Sequence, residues 1–168
     1  MYPNPSIPVQ QVLILDTGPL WELILYASIR DLRFGRLRSD LRYLRADTHY
    51  DAFTAFIAKF SRRITTPHVV SEIGSKVIRT RPSEGQAPIW GIVHEEFRAM
   101  RMDETLFKLL EMPLPLIAKV GATDASIVEL GLSYGRTKSF VVSVDSALIA
   151  ECKSAGLDAK DIWEILAA

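Results

Sequence analysis

Residues 12–20 read "VLILDTGPL", and the reading of this stretch decides the fold. A run of apolar residues closed by Asp-Thr-Gly-Pro predicts a short strand buried on both faces. Pro19 is tolerated in the first turn of a helix, and "PLWELILYASI" (19–29) continues as a helix apolar almost all round. A buried strand therefore ends on a carboxylate and turns at once into a helix. Asp16 has three readings: the Asp-Thr-Gly loop of an aspartic protease, the first acid of a metal site, or a helix cap. The protease reading needs a second Asp-Thr/Ser-Gly, from a repeat or a dimer mate, to complete its dyad. It also needs an all-β chain. The sequence carries no second copy, and helical patterns follow Asp16, so that reading falls.

The same strand–helix alternation runs outward from this stretch. "RLRSDLRYLRA" (36–46) has the spacing of a helix, with Leu37, Leu41 and Leu44 on one stripe and Arg38, Arg42 and Arg45 on the next. "DTHYDAFTAFIAKF" (47–60) places Tyr50, Phe53, Phe56, Ile57 and Phe60 on one helical face behind an Asp/Thr cap. "RRITT" (62–66) reads as a short strand, and Pro67 opens a helix that buries Val69, Val70, Ile73 and Val77. "RTRPSEGQAP" (79–88) reads as a loop. Helices are expected at 90–101 and 103–111, with a break at 112–121. A capped helix over 123–135 ends on Gly135. "SFVVSV" (139–144) is a second buried strand, and 145–156 a helix from an Asp cap to a Gly stop. A last short strand or helix is expected in "LDAKDIWEIL". Apolar strands alternating with helices predict an α/β fold, a mostly parallel sheet with helices on both faces. The whole chain, 1–168, reads as one domain with an irregular lead (1–10) and an Arg-rich helical insertion (30–63).

Lys plus Arg equals Asp plus Glu, at 20 each, so net charge predicts no partner. Its distribution is informative: residues 30–101 hold 14 basic and 8 acidic side chains, whereas 102–168 hold 6 and 10. The single cysteine, Cys152, excludes an intrachain disulfide and fits a reducing compartment. His49, His68 and His94 are scattered and make no metal-ligand spacing with it. The opening "MYPNPSIPVQ" lacks the pattern of a secretory signal, and no apolar run approaches a membrane span. A soluble, cytoplasmic protein without membrane contact is expected.

Four acids stand where strands meet helices: Asp16 after "VLIL", Glu72 after "TTP", Asp124 in "TDASIVEL" and Asp145 after "VVSV". In an open parallel sheet, functional residues gather at the carboxyl ends of the strands. Carboxylates converging there repel one another, and a hard divalent cation with oxygen ligands relieves the repulsion. Each acid alone has an ordinary reading. Asp16 and Asp145 suit helix caps, Asp124 is a first-turn acid, and Glu72 suits a pair with Lys76 one turn on.

Taken together and in order, the four segments resemble a PIN domain, the metal-dependent nuclease fold of VapC-type toxins. "LILDTGPL", "TTPHVVSEI", "GATDASIVELG" and "FVVSVDSALIAECKSAGL" carry the resemblance, which spans residues 11 to about 162. The interval between Asp16 and Glu72 is longer than in a compact toxin of this type, and the 79–104 region is enlarged. The resemblance implies a metal-dependent endoribonuclease, the toxin of a toxin–antitoxin pair, with RNA as substrate and a protein antitoxin as partner. Asp16, Asp124 and Asp145 would hold Mg²⁺ or Mn²⁺, and Glu72 a water on that ion or a second ion. Thr17 and Ser143 would orient the acids or serve only the fold. Apart from the resemblance, the Arg38, Arg42 and Arg45 stripe suits a grip on the RNA backbone, because guanidinium groups bind phosphate bidentately, or else a solvated face paired with Asp40, Asp47 or another subunit. A homodimer is expected through the apolar 19–29 helix or the Tyr50/Phe53/Phe56/Phe60 face, the alternative being that both faces are buried within the monomer. The alternative is a PIN-like module that binds RNA or protein without efficient cleavage. A phosphatase-like α/β enzyme is a third class, but its Gly-rich phosphate loop and Asp-x-Asp pair are absent.

Overall fold

The structure, a computed structural model, describes residues 12–32, 34–80, 86–105 and 112–168. Strand β1 (Val12–Leu15) runs into helix α1 (Thr17–Leu32), a 3₁₀ turn (Gly35–Asp40) and α2 (Asp47–Ala58). Then come β2 (Arg62–Thr65), α3 (Pro67–Thr80), α4 (Ala87–Met100), β3 (Met102–Glu104), α5 (Leu114–Val120) and α6 (Ala122–Tyr134). The chain closes with β4 (Ser139–Ser143), α7 (Ser146–Ser154), β5 (Asp158–Asp161) and α8 (Ile162–Leu166). The five strands form one sheet in the order β3-β2-β1-β4-β5, and every pairing is parallel. All four residues of β1 and all five of β4 are buried, so the centre of the sheet is covered on both faces, as the uninterrupted apolar run implies.

The strand order reverses between β1 and β4, because the chain leaves β1 first toward β2 and β3 and then returns to the other side for β4 and β5. In open α/β sheets a crevice opens at such a reversal, outside the carboxyl ends of the two strands. Asp16 directly follows β1, and Asp145 lies two residues past the end of β4.

Several local expectations are corrected. Residues 36–46 are not one helix. After the 3₁₀ turn the chain is extended at Leu41, yet Leu37, Leu41 and Leu44 are all buried. The cause is Glu22 of α1, whose carboxylate accepts the backbone N–H groups of Arg42 (3.0 Å), Tyr43 (3.0 Å) and Leu44 (3.1 Å). Those donors find a partner outside any helix, and the leucines reach the core by an irregular path. The Arg38/Arg42/Arg45 stripe therefore does not exist as a helical face, and the Arg-rich segment within 30–63 is only partly helical. The expected break at 112–121 holds α5, which starts after an extended Pro113 and carries Pro115 in its first turn, where no N–H is required. Residues 102–104, expected near a helix start, are the edge strand β3, while 106–111 and 81–85 lie outside the described residues, as do Arg33, Arg81 and the 1–10 lead. The last segment holds both a strand and a helix, and the helix expected from residue 90 begins at Ala87. Asp47 does not cap α2; it lies in the first turn and accepts the Tyr26 hydroxyl.

The two apolar faces behind the homodimer expectation are covered within the chain. Helix α1 is buried on nearly every side. Phe53 and Phe60 are buried, Phe56 packs edge-on against Phe60 and Phe140, and Tyr50 stacks on Tyr26 with centroids 5.1 Å apart. Cys152 is a buried free thiol pushed up to about 12, chiefly by burial, and is inert packing. Among the described residues no helix is long and apolar enough to cross a membrane.

Candidate active site

Asp16, Glu72, Asp124 and Asp145 all line one open cavity of about 550 Å³, together with Thr17, Thr123 and Lys76. Each arrives by a different element. Asp16 ends β1, Glu72 stands on α3, Asp124 lies in the first turn of α6, and Asp145 is the residue before α7.

Hydroxyl groups tie the acids together. Asp16, 6% exposed, accepts the Ser143 hydroxyl at 2.6 Å with one oxygen and the N–H of Thr17 with the other. Ser143 in turn accepts the Asp145 N–H at 2.9 Å, so a single side chain links the ends of β1 and β4. Glu72 accepts the Thr17 hydroxyl at 2.8 Å and the Thr123 hydroxyl at 2.7 Å. This replaces both the expected Glu72–Lys76 pairing and the expected side-chain cap of α6, whose preceding residue is Gly121. Asp145 is a helix cap as well as a wall of the cavity: one oxygen accepts the N–H groups of Ala147 (2.7 Å) and Leu148 (3.2 Å). The carboxylate of Asp124 makes no hydrogen bond among the described residues.

Burial and mutual repulsion set the electrostatics. Burial raises the Asp16 carboxyl above the ordinary range; the Ser143 and Thr17 hydrogen bonds pull it down, while Glu72 and Asp145 add to the rise. Asp124 is pushed up to about 7, first by burial and then by the charges of Asp16, Asp145 and Glu72. Close packing brings the walls together: a Cβ on Gly18 would stand 2.2 Å from the Val144 side chain. A side chain at position 18 would thus separate the start of α1 from the β4–α7 turn.

The donor set is entirely oxygen, which suits a hard divalent cation. Among the described residues, however, no group of three His, Cys, Asp or Glu side chains is poised to hold one ion. Asp16 and Glu72 have both oxygens engaged by hydrogen bonds, whereas Asp124 and the second oxygen of Asp145 are open to a ligand. The chemistry of the site fits a cation, and its acids are gathered but not closed upon one.

The predicted basic residues divide. Arg42 lines a small cavity beside the acidic one, with Trp21, Tyr43 and Lys76. Arg38 and Arg45 line a separate cavity with Tyr26 and Asp47. Three residues were given no functional place by the sequence reading. Thr123 stands beside Asp124 but gave no sign of serving Glu72. Lys76, one turn from Glu72, lies on the cavity wall. Glu22 did carry a signal, as a lone acid in an apolar helix, because carboxylates are seldom buried unpaired. Comparison of the chain with protein-family models and with curated proteins finds no match.

Proposed function

We propose that the chain is a metal-dependent endoribonuclease of the PIN type, hydrolysing RNA phosphodiester bonds in the acidic cavity. The observation that carries this reading is the convergence of Asp16, Glu72, Asp124 and Asp145, widely separated in sequence, on one cavity beside the carboxyl ends of β1 and β4. Asp16, Asp124 and Asp145 would hold Mg²⁺ or Mn²⁺, and when bound such an ion polarises the phosphate and activates water for in-line attack. Ser143 and Thr17 hold Asp16 in one orientation, and Thr17 with Thr123 does the same for Glu72. Asp124, without a hydrogen-bond partner among the described residues, would turn toward a ligand. A role as the toxin of a toxin–antitoxin pair, with a protein antitoxin, comes from the resemblance alone. The cytoplasmic setting is supported by the free thiol of Cys152.

One observation favours a second reading, an RNA-binding module that does not cleave: the carboxylates do not stand as a ready three-ligand group among the described residues. Incubation of a mixed RNA with Mg²⁺ or Mn²⁺, with and without EDTA, separates the two. Cleavage that EDTA abolishes and excess Mg²⁺ restores is the expected result. Intact RNA in both metals, with retained binding, replaces the nuclease by the module.

A further inference from the structure

An acidic cavity repels the backbone it must cut, so the strand needs a path in from elsewhere. Thr17 and Trp21 lie one turn apart on α1, and Glu72 and Lys76 lie one turn apart on α3, so each helix carries a cavity residue and a neighbour on the same face. The two neighbours meet: the Lys76 ammonium sits 5.9 Å from the Trp21 ring centroid. They also line a second cavity, of about 280 Å³, which shares Gly18, Lys76 and Val144 with the acidic one. The far wall of this second cavity is Arg42 and Tyr43, whose backbone Glu22 clamps against α1. Beyond it, Tyr43 lies against Trp163, with ring centroids 5.5 Å apart. Trp163 is 49% exposed, and its backbone N–H donates to the Asp161 carboxylate in the capping box of α8. His49 supports this end, its ring edge-on to Trp163 and its Nδ1 3.1 Å from the Tyr43 carbonyl oxygen. Among the described residues neither Lys76 nor Arg42 forms an ion pair. Among the described residues, the acids on this cavity are Asp40 and Glu22, and both Glu22 oxygens accept backbone N–H groups.

Aromatic faces interleaved with cations, leading to a cleavage site, suit unpaired bases: every base has a face that stacks, and a duplex keeps its faces to itself. Resting on the nuclease reading above, we propose that Trp163, Tyr43 and Trp21, with Arg42 and Lys76, form the track along which an unpaired RNA strand reaches the acidic cavity. The strand enters over Trp163 and Tyr43, passes Trp21, and has its backbone carried by Arg42 and Lys76.

The test uses the full chain in EDTA, with fluorescence anisotropy of an end-labelled, unstructured RNA oligomer and of the same oligomer annealed to its complement. The single strand should bind at least about ten-fold more tightly than the duplex. Trp163→Ala and Tyr43→Ala should each weaken single-strand binding about five-fold or more, the lower end of the effect of losing one stacked base. Trp163→Phe and Tyr43→Phe, which keep a stacking face, should restore most of the affinity. Trp163 is exposed enough that its replacement leaves the fold intact even if Tyr43→Ala does not. Single-strand binding unchanged in both alanine variants overturns the track, as does equal affinity for the duplex. Addition of Mg²⁺ to the same samples separates this proposal from the one beneath it. Cleavage with wild-type binding in the alanine variants overturns the track and leaves the nuclease. Stacking-dependent binding without cleavage by the wild type overturns the nuclease and leaves the track.

Discussion

The four acids and the three arginines Arg38, Arg42 and Arg45 make opposite journeys. The acids lie far apart in sequence and line one cavity; the arginines lie within one short segment and are divided between two. The difference is what positions each set. Asp16, Asp124 and Asp145 belong to strand ends and helix starts around the reversal in strand order, and Glu72 follows one turn further along α3, so the sheet gathers them whatever the intervening length. The arginines depend on local chain geometry, and a single tertiary contact, the Glu22 carboxylate, takes that geometry away from a helix. Long-range order protects the acidic site, whereas the basic segment depends on one side chain.

The strongest way to break this contrast is to remove an acid. Asp124→Asn should lower ribonuclease activity by about a thousand-fold, since metal assistance contributes several kcal/mol to such reactions. The fold should survive, because among the described residues Asp124 has no hydrogen bond to lose. In the absence of metal, the variant should also be the more stable protein above neutrality. The native carboxyl titrates near 7 against an ordinary value of 3.8, so between those limits the folded chain binds more protons than the unfolded one. The Asp124 contribution to wild-type stability therefore falls as pH rises from about 4 to about 7 and is level beyond it. Thermal melts in EDTA at pH 5 and pH 8 should show the advantage of Asp124→Asn growing between the two; a pH-independent difference removes the repulsion argument. Asp16→Asn should abolish activity equally but lose some stability, because an amide cannot accept both the Thr17 N–H and the Ser143 hydroxyl.

The next largest effect lies in the basic segment. Glu22→Ala leaves three backbone N–H groups without their carboxylate and should cost about 2–3 kcal/mol, at the scale of hydrogen bonds to a charged group. Glu22→Gln should be nearly as damaging, since its amide would put a donor where a carboxylate oxygen now accepts. Urea unfolding measures the loss, and limited trypsin digestion should find Arg42 and Arg45 more readily in the variants. Wild-type stability in Glu22→Ala would return residues 36–46 to an autonomous structure.

What could be read from the chain follows the same division. The β1 and β4 strands announce themselves as apolar runs, and Asp16 and Asp145 are adjacent to them, so the placement of these acids was legible. The strand order was not, because nothing local in "RRITT" states which side of β1 it joins. The bonds from Thr17 and Thr123 to Glu72 join α1, α3 and α6, and no spacing within one segment encodes them. The 36–46 error has a different origin. Leucines at intervals of four and three fit a helical stripe, but burial demands only that they reach the core, and an extended path after a 3₁₀ turn satisfies it equally. Edge strand β3 is three residues long and mostly exposed, too short to show a period.

The smallest effect sharpens the comparison within the arginines themselves. If the cavity beside the acids carries the RNA, Arg42 contacts phosphate, while Arg38 and Arg45, on the Tyr26 cavity, do not. Each phosphate contact to a single strand contributes roughly 0.7 to the slope of log affinity against log salt. Arg42→Ala should therefore flatten the slope by about 0.7, and Arg38→Ala/Arg45→Ala should leave it unchanged. Anisotropy titrations of the single-stranded oligomer across a KCl series in EDTA read both slopes. The reverse outcome, a flattened slope for the Arg38/Arg45 pair and none for Arg42, would route the strand across the Tyr26 cavity. That route would make Arg30, which lines the same cavity and stacks on Tyr50 with its guanidinium 4.8 Å from the ring centroid, the next residue to change.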